Sequence, residues 1–145
     1  MPRLLGIIKA IISIQLLFIT TMIPVIFKLP FTNKLDYGYE LPITWQIPTV
    51  IMICILFKRK VVLMAFTLYL LLGLFIFPIF HQGGSLGYLM TPNFGYLIGI
   101  YPLIIIIDTL NNKKKVFIFE FFKNGIIAIG TMHITGIIYN FIQML

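Results

Sequence analysis

Residues 81–99 read HQGGSLGYLMTPNFGYLIG. An apolar run from Val61 to Phe77 precedes the stretch, and another from Phe94 to Leu110 closes and follows it. Between its ends stand five glycines, one proline, two tyrosines, a histidine, a glutamine and an asparagine, with no formal charge. Helix breakers placed between two long apolar runs predict two rods joined by a non-helical segment. Such backbone is tolerated at membrane depth only where protein, or water in a cavity, satisfies its N–H and C=O groups.

The rest of the chain fits that frame. Its 145 residues are 60% hydrophobic and 10% charged. A soluble domain lacks the polar surface to cover that much apolar side chain, so the composition predicts an integral membrane protein. The length allows one domain, residues 1–145. The net charge is +7, and eight of the eleven Lys and Arg are gathered at Arg3 and Lys9, at Lys58-Arg59-Lys60 and at Lys113-Lys114-Lys115, each cluster at an apolar run. Nucleic-acid binders spread their basic residues over one exposed face, so that class is excluded. Clusters at alternate loops follow the positive-inside pattern.

Five apolar runs predict an all-α, polytopic transmembrane bundle of about five spans with a cytoplasmic N-terminus. The first runs from Leu4 to Phe27; no small-x-small cleavage site follows it, so it is read as a retained helix rather than a signal peptide. Residues 28–40 form a polar loop. The second run, Leu41–Phe57, opens with a proline in its first turn and should kink at Pro48, and the third is Val61–Phe77. Each is 17 residues, or about 26 Å of helix, short for a span without flanking residues. The fourth, Phe94–Leu110, should kink at Pro102. The fifth, Val116–Leu145, is too long for one simple span; Val116–Lys123 is placed at the interface, where Glu120 and Lys123 can pair, and the span begins near Asn124. Asp108 is read as a local charge partner, and the lone cysteine, Cys54, as a small packing residue. The 78–93 loop, which carries no formal charge, then faces the exterior.

That loop has the chemistry of a small-molecule site. Gly83, Gly84 and Gly87 let backbone approach a ligand closely. His81, Gln82 and Asn93 supply directional donors and acceptors, and Tyr88 and Tyr96 add flat apolar faces with polar tips. The set suits a ligand with a planar polar head and an apolar body, although the same residue types also serve simply to turn a chain. Gly95-x-x-x-Gly99 forms a small-residue face for packing inside the bundle. Gly6-x-x-x-Ala10 forms another, for internal packing or for docking a second membrane subunit. His81 and His133 find no third ligand at useful spacing, so no metal site is expected. No nucleophile–base pair and no phosphate-binding loop are present, so the chain is read as neither enzyme nor ATPase.

Three blocks carry a resemblance: LPITWQIP at 41–48, LYLLLGLFIFPIF at 68–80 and GGSLGYLMTPNFGYLIG at 83–99. In this order they resemble the BioY family, the biotin-specific substrate-binding subunits of energy-coupling-factor (ECF) transporters. The resemblance implies a multi-pass subunit of a bacterial cell membrane that holds biotin in an outward-facing cavity. A transmembrane coupling subunit and ATPase subunits then power import, and biotin is cargo rather than cofactor. It implies a site in which the ring of biotin stacks on Trp45 or Tyr88 and its ureido group bonds Gln46, Gln82 or Asn93, with His81, Gly83, Gly84 and Tyr96 around them. It makes Gly6 and Ala10 candidates for coupling-subunit docking. The family usually has six helices, the last of which contributes polar and charged ligand contacts, whereas five runs are found here; Asn93-Phe94 also stands where many relatives carry Thr-Gly. A subunit for another vitamin, or a shortened accessory protein that does not transport, are the alternatives.

Overall fold

Pro24 ends the first helix. Helix α1 (Pro2–Met22) stops two residues before it, because a proline lacks the N–H for the next helical bond and its ring collides with the carbonyl four residues back. The chain instead enters strand β1 (Pro24–Phe27), antiparallel to β2 (Tyr39–Thr44). The register slips between Pro24, opposite Thr44, and Val25, opposite Leu41. Pro42, which has no N–H to offer a ladder, falls in that bulge. An antiparallel pair of strands therefore replaces the end of the first predicted helix and the start of the second, and among the described residues the other regular elements are helical. The structure, a computed structural model, describes residues 2–27, 39–80, 83–111 and 118–145.

Helix α2 (Gln46–Leu56) has 11 residues, about 16 Å, too short to cross a bilayer alone. Pro48 lies in its first turn, where N–H groups have no helical partner, so the expected kink is absent. Helix α3 (Arg59–Phe75) follows, then a 3-10 turn (Leu86–Met90). Helices α4 (Pro92–Ile98) and α5 (Ile100–Asn111) form one interrupted rod. Its break lies at Ile98–Gly99, the place where the ring of Pro102 meets the carbonyl four residues before it. Helix α6 (Ile118–Met144) is continuous through Lys123 and Asn124, with no break at the expected interface boundary. Among the described residues, Leu4–Met22, Pro92–Asn111 and Phe119–Met144 are long and apolar enough to cross a membrane.

The core runs through the middle of this bundle. Phe66, Tyr69, Leu103 and Ile104 are fully buried. Outward, α1 exposes Ile7, Ile11 and Phe18, and α6 exposes Ile134, Ile137 and Phe141. Apolar faces of that extent have a stable environment in hydrocarbon rather than in water, so the protein is a polytopic membrane bundle.

Small residues set the helix spacing. A Cβ added at Gly95 would stand 2.6 Å from Tyr139 Cβ, and one at Gly99 2.6 Å from the Met132 carbonyl oxygen. The reverse fit is at Gly136, whose added Cβ would stand 2.5 Å from the Tyr96 ring. The Gly95/Gly99 face thus packs α4 directly onto α6 inside the fold.

Polar contacts tie the helices together at several points. Thr21 Oγ1 and Tyr69 Oη join α1 to α3 at 3.0 Å, and Thr67 Oγ1 and Tyr101 Oη join α3 to α5 at 2.9 Å. Asn124 Nδ2 donates to Asn111 Oδ1 at 2.8 Å. Asp108 finds its partner across the bundle in Arg59, Nε to Oδ2 3.7 Å. Glu120 and Lys123, expected to pair, are both exposed and form no ion pair; water solvates each without the entropy cost of holding two long side chains together. The Arg59–Asp108 pair is itself partly exposed, and Asp108→Asn is expected to lower stability by about 1 kcal/mol at most, read as a thermal midpoint in detergent.

Candidate functional site

The segment after α3 folds back onto that helix, and glycines make the fit possible. The Phe80 ring occupies the space where a side chain on Gly73 would lie, and a Cβ on Gly84 would strike Pro78 and come within 2.9 Å of the Gly73 carbonyl oxygen. Gly83 adopts φ +148°, a conformation that L side chains rarely take. Phe80 and Gly83 exchange backbone hydrogen bonds at 2.9 and 3.1 Å, and Ser85 N–H donates to the Gly73 carbonyl at 2.9 Å. The 3-10 turn is tied down from the other side. Tyr139 Oη and Gln143 Nε2, both on α6, donate to the Leu89 carbonyl, the latter at 2.9 Å.

These ties line up an aromatic wall. Ring centroids run from Tyr69 to Phe80 at 5.5 Å, from Phe80 to Tyr88 at 4.8 Å and from Tyr88 to Phe94 at 6.4 Å. The wall bounds a cavity of about 290 Å³ between the start of α2, α3, the 3-10 turn, α4, the start of α5 and the middle of α6. That is near the lower end, roughly 300 Å³, of small-ligand pockets. Thr44, Gln46, Asn93 and His133 give it polar groups, and Leu97, Ile100 and Met132 give it an apolar floor.

Gln46 is the distinctive member. It is 8% exposed, and its Nε2 has no hydrogen-bond partner. Leaving a buried amide donor unpaired costs about 1–3 kcal/mol, so a water or a ligand acceptor would be stabilised beside it. Thr44 Oγ1 accepts the Gln46 backbone N–H at 3.4 Å, which fixes the residue at the head of α2. The Tyr69 hydroxyl, bonded to Thr21, also interacts with the Gln46 side chain, although no hydrogen bond of good geometry forms to Nε2. Burial pushes the Tyr88 phenol above its ordinary range, and a hydrogen bond with the Asn93 side chain offsets part of that shift. Tyr88 is therefore a neutral phenol at physiological pH. The rings of Tyr96 and His133 meet edge to face at 5.6 Å.

Of the residues expected at a ligand site, Gln46, Tyr88, Asn93 and Tyr96 line this cavity. Gly83 and Gly84 build the loop behind it. Trp45 is 49% exposed and off the cavity wall, its carbonyl accepting the Thr49 hydroxyl at 2.9 Å. His81 and Gln82 lie outside the described residues. Ala10 is buried on the stripe Ala10–Ser13–Leu17–Thr21 that α1 turns inward, while the Cβ position of Gly6 is open. Sequence reasoning missed Thr44, Tyr69, Phe80, Met132 and His133 as wall residues. One signal was there: the glycine faces at 95/99 and 136 seat α4 on α6 and so bring Met132-His133 beside Tyr96. Among the described residues no group of three His, Cys, Asp or Glu could hold a metal ion.

The described cations gather at the other end of the bundle. Lys9 Nζ lies 5.6 Å from the Phe57 ring centroid, beyond the far end of α2. Lys58, Arg59 and Lys60 follow, and Lys123 precedes the Asn124–Asn111 contact at the far end of α5.

Compared with known families, residues 3–144 match the BioY family. The chain belongs to that family. In structure this BioY protein is similar to the S-component for biotin from an ECF-type ABC transporter, solved by crystallography. The TM-score is 0.72 at 16% sequence identity, over 95% of this chain and 72% of that one. At such identity the likeness establishes the fold. A comparison with curated proteins gives no match. As a BioY protein the chain is not an enzyme.

Proposed function

We propose that this BioY protein is the substrate-binding subunit of an ECF-type vitamin transporter and that its cavity captures biotin. The observation that carries the reading is Gln46, a buried amide with an unpartnered Nε2 on the wall of an aromatic cavity. A ureido carbonyl is the acceptor that Nε2 lacks. Asn93 and Thr44 add neutral donors and acceptors, and Tyr88, Phe80 and Tyr96 give flat faces for a fused ring. The crystallographic relative, an S-component for biotin, supports the same reading. The bundle spans the bacterial cell membrane with the basic end, which holds Lys9 and Lys58–Lys60, in the cytoplasm, so the cavity opens to the exterior. Energy comes from a transmembrane coupling subunit and ATPase subunits, and the open position at Gly6 is where α1 lets a partner helix approach.

The test is direct. Purified full-length protein in detergent is expected to bind tritiated biotin saturably, one per chain, with displacement by unlabelled biotin and not by thiamine or riboflavin. Displacement by another vitamin instead would transfer the assignment to that vitamin. No saturable binding of any of them by folded, monodisperse protein at micromolar concentration would remove the capture function.

A further inference from the structure

A hydroxyl has one proton, and where α1 meets α3 its use is fixed. Thr21 and Tyr69 are both buried. Thr21 Oγ1 donates to the Leu17 carbonyl at 2.7 Å. The same bond to the carbonyl four residues back recurs at Thr49 and Thr67, and it uses the single proton that threonine has. In the 3.0 Å contact between Thr21 Oγ1 and Tyr69 Oη, tyrosine is therefore the donor. Tyr69 is left with lone pairs for its other polar neighbour, the Gln46 side chain. An amide turns its nitrogen toward an acceptor and its oxygen toward a donor, so an acceptor-only Tyr69 favours Gln46 with Nε2 toward it. Nε2 carries two protons. With one directed at Tyr69, the other is free for a group in the cavity.

We propose that Thr21 and Tyr69 are positioning residues that fix Gln46 as a hydrogen-bond donor, so that the cavity selects a ligand head with a carbonyl over one with an N–H in the same place. This rests on the biotin reading above and gives that site its source of discrimination. In the empty protein the bond from Nε2 to Tyr69 is not made. In the complex a turn of the amide brings one N–H to Tyr69 Oη while the other meets the ureido carbonyl. A head such as that of 2-iminobiotin, a cyclic guanidinium at neutral pH, presents N–H where biotin presents oxygen, and meets a donor with a donor. Once the Thr21–Tyr69 bond is lost, Gln46 is free to flip and offer Oε1 to that N–H instead.

The readout is the ratio of biotin to 2-iminobiotin affinity, measured by displacement of tritiated biotin from purified full-length protein. The parent is expected to prefer biotin by about tenfold or more. That ratio is expected to fall about fivefold or more in Thr21→Val, which keeps the side-chain shape, and in Tyr69→Phe. Thr67→Val removes the matching contact with Tyr101, which is not on the cavity wall, and should leave the ratio as it is. A parent with no preference would overturn the proposal. So would a Thr21→Val protein that binds both ligands as the parent does, or one that loses both by the same factor, which is a packing effect. An equal fall in Thr67→Val would overturn it as well. If Tyr69→Phe fails to fold, Thr21→Val decides. Absence of biotin binding by the folded parent is a different result: it removes the capture function itself, and this extension with it.

Discussion

Gln46→Leu is expected to reduce biotin binding by ten- to a hundredfold while the thermal midpoint of the empty protein holds or rises. The two effects have opposite signs for one reason. In the empty protein, Gln46 is 8% exposed and its Nε2 is unpartnered, so a leucine of similar volume removes a desolvation cost of about 1–3 kcal/mol. In the complex, the same change leaves the ligand acceptor facing a methyl group. Sites built to hydrogen-bond a ligand discriminate strongly when that bond is lost. The Tyr69 hydroxyl keeps its 3.0 Å bond to Thr21, so the helix contact between α1 and α3 survives. A purely structural glutamine would behave otherwise, since losing it would lower the midpoint and leave binding to folded protein unchanged. Thermal melts with and without biotin, together with displacement of tritiated biotin, separate the cases. Retained affinity in a folded Gln46→Leu protein would refute the role given to this residue.

How far the sequence could be read depended on the scale of the signal. Apolar runs of 17 or more residues report rods, and each run contains one: α1, α2, α3, the α4–α5 rod and α6. A proline reports a missing N–H, not what replaces the helix. Pro24 and Pro42 mark strands joined across a bulge, and that pairing links residues far apart in sequence. A kink at Pro48 follows only for a helix that begins at Leu41, whereas α2 begins at Gln46. Pro102, by contrast, acts within its own helix, and its effect at Ile98–Gly99 was legible. The site shows the same division. Tyr88, Asn93 and Tyr96 sit in one sequence block and were found together. Gln46 was found through a second block, whereas Tyr69 and His133 join them only through helix packing. Glycine had two meanings that spacing cannot separate. Gly83 and Gly84 shape the loop behind the wall, and Gly95, Gly99 and Gly136 let helices touch.

Gly99→Leu is expected to destabilise the bundle by about 3 kcal/mol, at the upper end of overpacking costs, and to take the cavity with it. The added Cβ would stand 2.6 Å from the Met132 carbonyl oxygen and 3.0 Å from its Cα. Those are backbone atoms of α6, which cannot rotate aside as a side chain tip can, so the helix itself has to move. Met132 and His133 lie on the cavity wall at that point, and Tyr139 and Gln143 further along α6 hold the 3-10 turn. Displacing α6 therefore opens the floor and loosens the roof together. Gly130, on the same helix, supplies the control, because a Cβ there meets nothing within 4 Å. Gly130→Ala is expected to be neutral or stabilising by up to about 1 kcal/mol through helix propensity. Fluorescence-detected size exclusion after heating would rank the two variants against the parent. Gly99→Leu matching the parent in midpoint would show that α4 and α6 are not held at the distance their glycines define, and the wall shared by Tyr96 and His133 would lose its physical basis.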